Sequence, residues 1–185
     1  AVDGVYAEAA RALGHEIATR GHELVYGGAS VGLMGDVARA ATAAGGRVLG
    51  IIPRRFAQRG LTYQDTDETI ITETMAERKS HMIEVAEAFV ALPGGIGTLE
   101  ELVEQLTWQQ LGRHTKPVVI VDIGGFWKPL LSLLAHMREH GFIRAEYEVR
   151  YLVAERIEDV IPMIEKAAAL HERSGQIQHT VDERL

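Results

Sequence analysis

The chain has 185 residues, 46% of them hydrophobic and 24% charged, and a formal net charge of −7. That length suits about one globular domain with a sizeable core, and the acidity argues against nucleic acid or an anionic membrane surface as partner. There is no cysteine, which excludes disulfides and cysteine metal sites, and no apolar run approaches the roughly 20 residues that span a bilayer.

No signal peptide is visible at the start. Residues 5–20 read instead as a helix, with Val5, Ala9, Ala12, Leu13, Glu16 and Ile17 at helical spacing, and Gly21 stops it. A short strand follows over 23–26, broken by Gly27 and Gly28. An alanine-rich helix over 33–44 ends at Gly45 and Gly46, and a buried strand over 47–52 ends at Pro53. The stretch 54–67 is polar and irregular. A strand is expected over 68–72 and a helix over 75–86. AFVAL, at 88–92, is a continuous apolar run of the kind buried on both faces of a parallel sheet. A helix over 98–111, a strand over 117–121 and a helix over 126–140 come next, the last with Leu130, Leu131, Leu134 and Met137 on one side. A strand over 151–154 and a helix over 157–171 complete the pattern, and 172–185 reads as a polar tail.

This alternation predicts an α/β protein: a Rossmann-like, doubly wound parallel sheet with helices on both faces, in one nucleotide-binding domain over 1–171. Such folds begin with a strand feeding a glycine-rich turn. This chain begins with a helix, so a further strand upstream is expected, the alternative being a sheet with one strand fewer.

The strongest chemical signal is PGGIGTLEE, at 93–101. It follows the AFVAL strand and opens a helix. Gly94, Gly95 and Gly97 let the backbone approach a ligand with no Cβ in the way. The helix beginning near Thr98 points free N–H groups and its positive end into that loop, which makes a phosphate cradle. Thr98 is expected as a hydroxyl donor or helix cap. Glu100 and Glu101 are expected in the first turn of the helix, with one of them facing the cleft. ERKSHM, at 77–82, places Arg78 and Lys79 early in a helix beside that loop, where Arg78 suits a phosphate or transition-state clamp. YGGASVGLMG, at 26–35, is a second strand–glycine–helix turn, read either as a structural βα turn or as a loop lining the same cleft and touching sugar or base. The eight histidines show no H-E-x-x-H or other ligand spacing and read as surface or packing residues, so no metal site is expected. Trp108 and Trp127 read as core.

In this order, YGGASVGLMG, ERKSHM and PGGIGTLEE resemble the Lonely Guy (LOG) family, whose members are often labelled "possible lysine decarboxylase". LTWQQLG at 106–112 and KPVVIVD at 116–122 extend the likeness, which runs over about 6–164. The resemblance implies a cytoplasmic, homodimeric cytokinin riboside 5′-monophosphate phosphoribohydrolase without a cofactor. Such an enzyme takes AMP or an N6-substituted AMP such as N6-isopentenyl-AMP to free base and ribose 5-phosphate. It implies catalytic roles for Arg78 and Glu101. Nucleotide contacts are implied for Lys79, for Gly94, Gly95, Ile96, Gly97, Thr98, Leu99 and Glu100 of the loop, and for Thr107. The other two motifs add Met82, Gly27, Gly28 and Met34 to the expected binding set. Two departures stand out. The Cys-Gly-Ser-Ser-like loop near the family's start has no match here, and Gly60 occupies a position where some members carry a substrate-contacting acid.

Rival readings are a non-hydrolytic nucleotide or molybdenum-cofactor carrier of related fold, and a lysine decarboxylase with pyridoxal phosphate on Lys79. A nicotinamide oxidoreductase fits less well, because the full G-x-G-x-x-G and its downstream acid are missing.

Overall fold

The computed structural model describes residues 3–144 and 147–182, with side chains described as far as His171. Strands and helices alternate along it: α1 (Gly4–Thr19), β1 (Leu24–Tyr26), α2 (Gly32–Ala43), β2 (Val48–Pro53), α3 (Arg54–Ala57), β3 (Glu68–Thr72), α4 (Met75–Val85), β4 (Phe89–Ala91), α5 (Ile96–Gln110), β5 (Val118–Val121), α6 (Lys128–Glu139), β6 (Leu152–Ala154) and α7 (Val160–Asp182). The strands form two three-stranded sheets, β1-β2-β3 and β4-β5-β6. Every pairing is parallel; Tyr26 lies opposite Gly50, Ile52 opposite Ile71, and Val90 opposite Val119. The expected Rossmann-like α/β class with a parallel arrangement is therefore what forms.

The side-chain alternation of β5 shows the double winding. Val119 and Val121 enter one apolar cluster with Tyr26, Val48, Ala38, Ala154 and Val160. Val118 and Ile120 enter a second with Ala91, Leu102, Leu106 and Trp127. A strand's side chains point to opposite faces in turn, so both faces of β5 are covered, and burying each of these side chains stabilises the fold by about 1.5–3 kcal/mol. The first cluster draws on both sheets and so joins them. β4 is less enclosed than the AFVAL run suggests, with Phe89 and Val90 only half-buried.

Close backbone approach shapes the α1–α2 layer. A Cβ on Gly14 would stand 2.2 Å from the Val37 carbonyl oxygen, and one on Gly46 2.4 Å from Ala18 Cβ. The face of α1 that packs is Ala9, Ala10, Leu13, Gly14 and Ile17. It is rotated from the expected stripe: Val5 is 46% exposed, and Glu16 pairs with Arg20 at 2.9 Å instead of packing. Two other elements differ from expectation. The irregular stretch after Pro53 opens with the single turn α3, then ties back onto the β1–α2 turn through Ser30 N to Leu61 O (2.8 Å) and Tyr63 N to Gly28 O (3.1 Å). The last helix runs on through the polar tail to Asp182.

Candidate active site

α4 starts where reciprocal caps fix it. The Thr74 hydroxyl accepts from the Glu77 N–H at 3.1 Å, while the Glu77 carboxylate accepts from the Glu73 N–H at 2.9 Å. One turn in, Arg78 points inward and its side chain is only 7% exposed. A buried guanidinium needs partners. Its Nε donates to the Ile51 carbonyl at 3.1 Å, and its Nη1 donates to Glu101 Oε1 at 2.5 Å and approaches Met75 Sδ at 3.4 Å. Its Nη2 lies over Gly27, where a Cβ would come within 2.1 Å of that nitrogen and 3.0 Å of Met34 Sδ. Arg78 therefore sits at the carboxyl ends of β1 and β2, the edge at which open parallel sheets bind ligands.

The opposite wall is α5. Gly95 is its N-cap and no side chain caps it, so its first N–H groups lack helical partners. The helix starts two residues before the expected position. This moves Thr98 into the third helical position, where its hydroxyl packs against Gly94 instead of capping the helix. It also moves Glu100 and Glu101 into the second turn. Both glutamates face α4, where one was expected in the cleft: Glu101 meets Arg78, and Glu100 meets the Lys79 ammonium at 2.6 Å. Lys79 is bonded to Glu104 as well, at 3.1 Å. The hydrogen bond to Glu100, opposed by burial and helped by Glu104, raises the Lys79 pKa above its ordinary value. Oε2 of the Glu101 carboxylate carries no hydrogen bond among the described residues.

The predicted site residues thus fall into two groups. Arg78, Glu101, Gly27 and Met34 gather around the guanidinium, with the backbone of Gly28 beside Ile51 and Ile52. Ile96, Leu99, Glu100 and Thr107 line a shallow, largely apolar groove of about 510 Å³ along the outer face of α5. That groove excludes Arg78 and Glu101, and Lys79 links the two groups through Glu100 and Glu104. Met82 is half-buried on α4. Thr107 is exposed, its hydroxyl turned back to the Val103 carbonyl at 2.8 Å.

Three neighbours escaped the sequence reading. Met75 touches Arg78 from three residues earlier on α4, and Glu104 stands four residues after Glu100 on the same face of α5; helical spacing was the available signal for both. Trp127 is core at 5% exposure, as expected, but Trp108 is half-buried in the groove with Arg113 stacked over its ring at 5.0 Å.

The model of the family described as "Possible lysine decarboxylase" matches residues 34–164. Two proteins of Arabidopsis thaliana named cytokinin riboside 5'-monophosphate phosphoribohydrolase, LOG2 and LOG3, are 41% and 42% identical to the chain over 167 and 168 residues. The alignments cover 90% and 91% of this chain and 78% of each relative. The chain belongs to the Lonely Guy (LOG) family. As a LOG-family member it carries Arg78, Lys79, Gly94 to Glu101 and Thr107 inside the matched range, while Gly27 and Gly28 precede it. Among solved structures, the molybdenum cofactor binding protein of Rippkaea orientalis has a TM-score of 0.68 against it at 24% identity, covering 89% of this chain and 88% of that one. At that identity the LOG-family chain shares its fold with that binding protein, and the likeness extends no further.

Proposed function

We propose that the protein is a phosphoribohydrolase of the cytokinin-activating type. It hydrolyses the N-glycosidic bond of an N6-substituted adenosine 5′-monophosphate, or of AMP itself, to free base and ribose 5-phosphate. The observation that carries this reading is the 2.5 Å contact between the buried Arg78 and Glu101, set beside the uncapped, glycine-floored start of α5 in a chain 41% identical to a named phosphoribohydrolase.

As the C1′–N bond breaks, its electron pair leaves with the base and positive charge builds on the ribose ring. A carboxylate beside C1′ lowers that barrier. Arg78 grips Oε1 of Glu101 and so fixes the carboxylate plane, leaving Oε2 to face the sugar. Water then adds to C1′ and gives its proton to that oxygen, and the same proton passes on to the departing base, which returns Glu101 to its carboxylate form. The 5′-phosphate belongs at the start of α5, where Gly95, Gly97 and Thr98 offer backbone N–H groups and the helix's positive end. Arg78 Nη2, which makes no hydrogen bond among the described residues, is the guanidinium donor left for phosphate or base.

Two rivals separate from this on physical grounds. A pyridoxal aldimine needs Lys79 as a free amine, yet Glu100 and Glu104 both hold it as an ammonium and raise its pKa. A carrier would bind nucleotide without turning it over. The test is to incubate the protein with AMP and with N6-isopentenyl-AMP and assay both free base and ribose 5-phosphate. Equimolar appearance of the two products supports the proposal. Saturable binding with neither product favours the carrier.

A nucleoside monophosphate is an intracellular substrate, and we place the enzyme in the cytoplasm on that ground. We also propose a homodimer. Its support is the exposed apolar stripe of α5, in which Ile96 is 81% exposed, Val103 42% and Leu111 67%. Leu111→Asp should then shift the protein toward monomer in light-scattering measurements.

A further inference from the structure

We propose that the C-terminal end of α6 binds a divalent transition-metal ion through His136, Glu139 and His140. These histidines, expected as surface or packing residues, do stand at a ligand spacing. The chain carries the reversed order, H-x-x-E-H, over 136–140. Spacings of three and four residues bring side chains to one helical face. In the structure one ligand atom from each of the three residues lies within 4.8 Å of the other two, and the two imidazole rings stand 4.1 Å apart at 46°. A tetrahedral ion with bonds of 2.0–2.1 Å places its ligand atoms roughly 3.3 Å apart. All three side chains are exposed, so rotation about their own bonds closes that gap without moving the backbone.

Three features favour a cation here. His140 Nδ1 sits 2.9 Å from the His136 carbonyl oxygen. A carbonyl can only accept, so Nδ1 carries the hydrogen and Nε2 presents its lone pair outward, the orientation that a metal-binding imidazole takes from a backbone partner. Glu139 makes no ion pair or hydrogen bond among the described residues, so its carboxylate is available. His136 lies in the last turn of α6 and His140 is its C-cap, where the helix dipole presents its negative end. Arg138, the nearest cation in sequence, is two residues from each histidine and so faces another side of the helix. Two imidazoles with one carboxylate suit Zn²⁺, Cu²⁺ or Ni²⁺ and disfavour Mg²⁺ and Ca²⁺. With three protein ligands, the fourth position is left to water.

The site lies outside the proposed reaction and is tested without it. The full chain, stripped with chelator in a non-coordinating buffer, is titrated with ZnCl₂ in a calorimeter. One saturable equivalent is expected, with no heat from MgCl₂. The His136→Ala/His140→Ala double variant should bind zinc at least about tenfold more weakly, and zinc should raise the Tm of the wild type but not of that variant. Because both side chains are exposed, the double variant keeps its fold, which circular dichroism checks. Absence of saturable zinc binding to the wild type overturns the proposal. So does a double variant that binds zinc with unchanged stoichiometry and affinity.

Discussion

Two strand–glycine–helix turns of this protein read alike in sequence, and their glycines serve different ends. In the β1–α2 turn the protein itself occupies the space. Gly27 makes room for the Arg78 guanidinium, Gly28 has φ +74° against Ile52, and a Cβ on Gly35 would stand 2.0 Å from the Ser30 carbonyl oxygen. In the β4–α5 turn, a Cβ on Gly95 or Gly97 would meet nothing within 4 Å, and neither residue has positive φ. Internal packing explains the first set, whereas nothing among the described residues demands glycine at 95 or 97. A ligand that must approach the backbone closely would demand it. A glycine with no structural reason is thus stronger evidence for a binding surface than one that fills a tight corner.

The two turns meet at the Arg78–Glu101 pair. Glu101→Gln keeps the size of the side chain but removes the charge from the Arg78 pair. We expect kcat to fall by about two orders of magnitude or more, measured as ribose 5-phosphate release, with the fold checked by circular dichroism. Near-normal turnover would reject Glu101 as the group facing C1′. Gly27→Ala comes next, because its methyl group must displace Arg78 Nη2 or Met34 Sδ. Overpacking of this kind costs about 1–3 kcal/mol in urea unfolding, and the shifted guanidinium should lower kcat as well.

Gly97→Ala sharpens the contrast. Position 97 is helical, and alanine there should be neutral or stabilising by up to about 0.5–1 kcal/mol. The new methyl group projects into the open loop, so KM for AMP should rise while the unfolding midpoint holds or climbs. Loss of stability with unchanged KM would show that the β4–α5 glycines are structural after all.

Much of this was legible in the sequence, for a definable reason. Glycines and apolar runs punctuate the chain so firmly that β3 falls on the expected residues 68–72, and most other elements shift by only a residue or two. The motifs place Arg78 and Glu101 beside one cleft, but their pairing with each other is visible only in the structure. What the sequence concealed depends on rotation and on start points. α5 begins at Ile96 because Gly95 takes an extended cap conformation, and that shift alone carries Thr98 out of the cap and both glutamates onto the α4 side. The resemblance implies a nucleotide contact for Lys79, and only three-dimensional packing reveals that two carboxylates already claim it. The buried stripe of α1 was misplaced by its alanines, which suit either face until Gly14 meets Val37.

The smallest expected effect tests the footing of the β4–α5 turn. His114 is half-buried and packs against Phe89 of β4 with ring centroids 5.3 Å apart. Burial lowers its pKa from 6.5; the Gln105 backbone pulls upward and Lys116 downward by less. Above pH 6.5 the ring is neutral in both the folded and the unfolded chain, so it costs nothing. As pH falls below 6.5 the unfolded chain takes up the proton first, and the folded state loses stability until its own lowered pKa is passed. Tm should therefore decline between neutral and mildly acid pH, and His114→Phe, which packs beside Phe89 without a titrating group, should flatten part of that decline. Hydrogen exchange locates the effect. Once rates are corrected for the slower intrinsic exchange at acid pH, the β4 amides of the wild type should lose more protection than the β1 amides, because β4 rests on the His114 ring; equal loss in both strands would place the acid-sensitive group elsewhere.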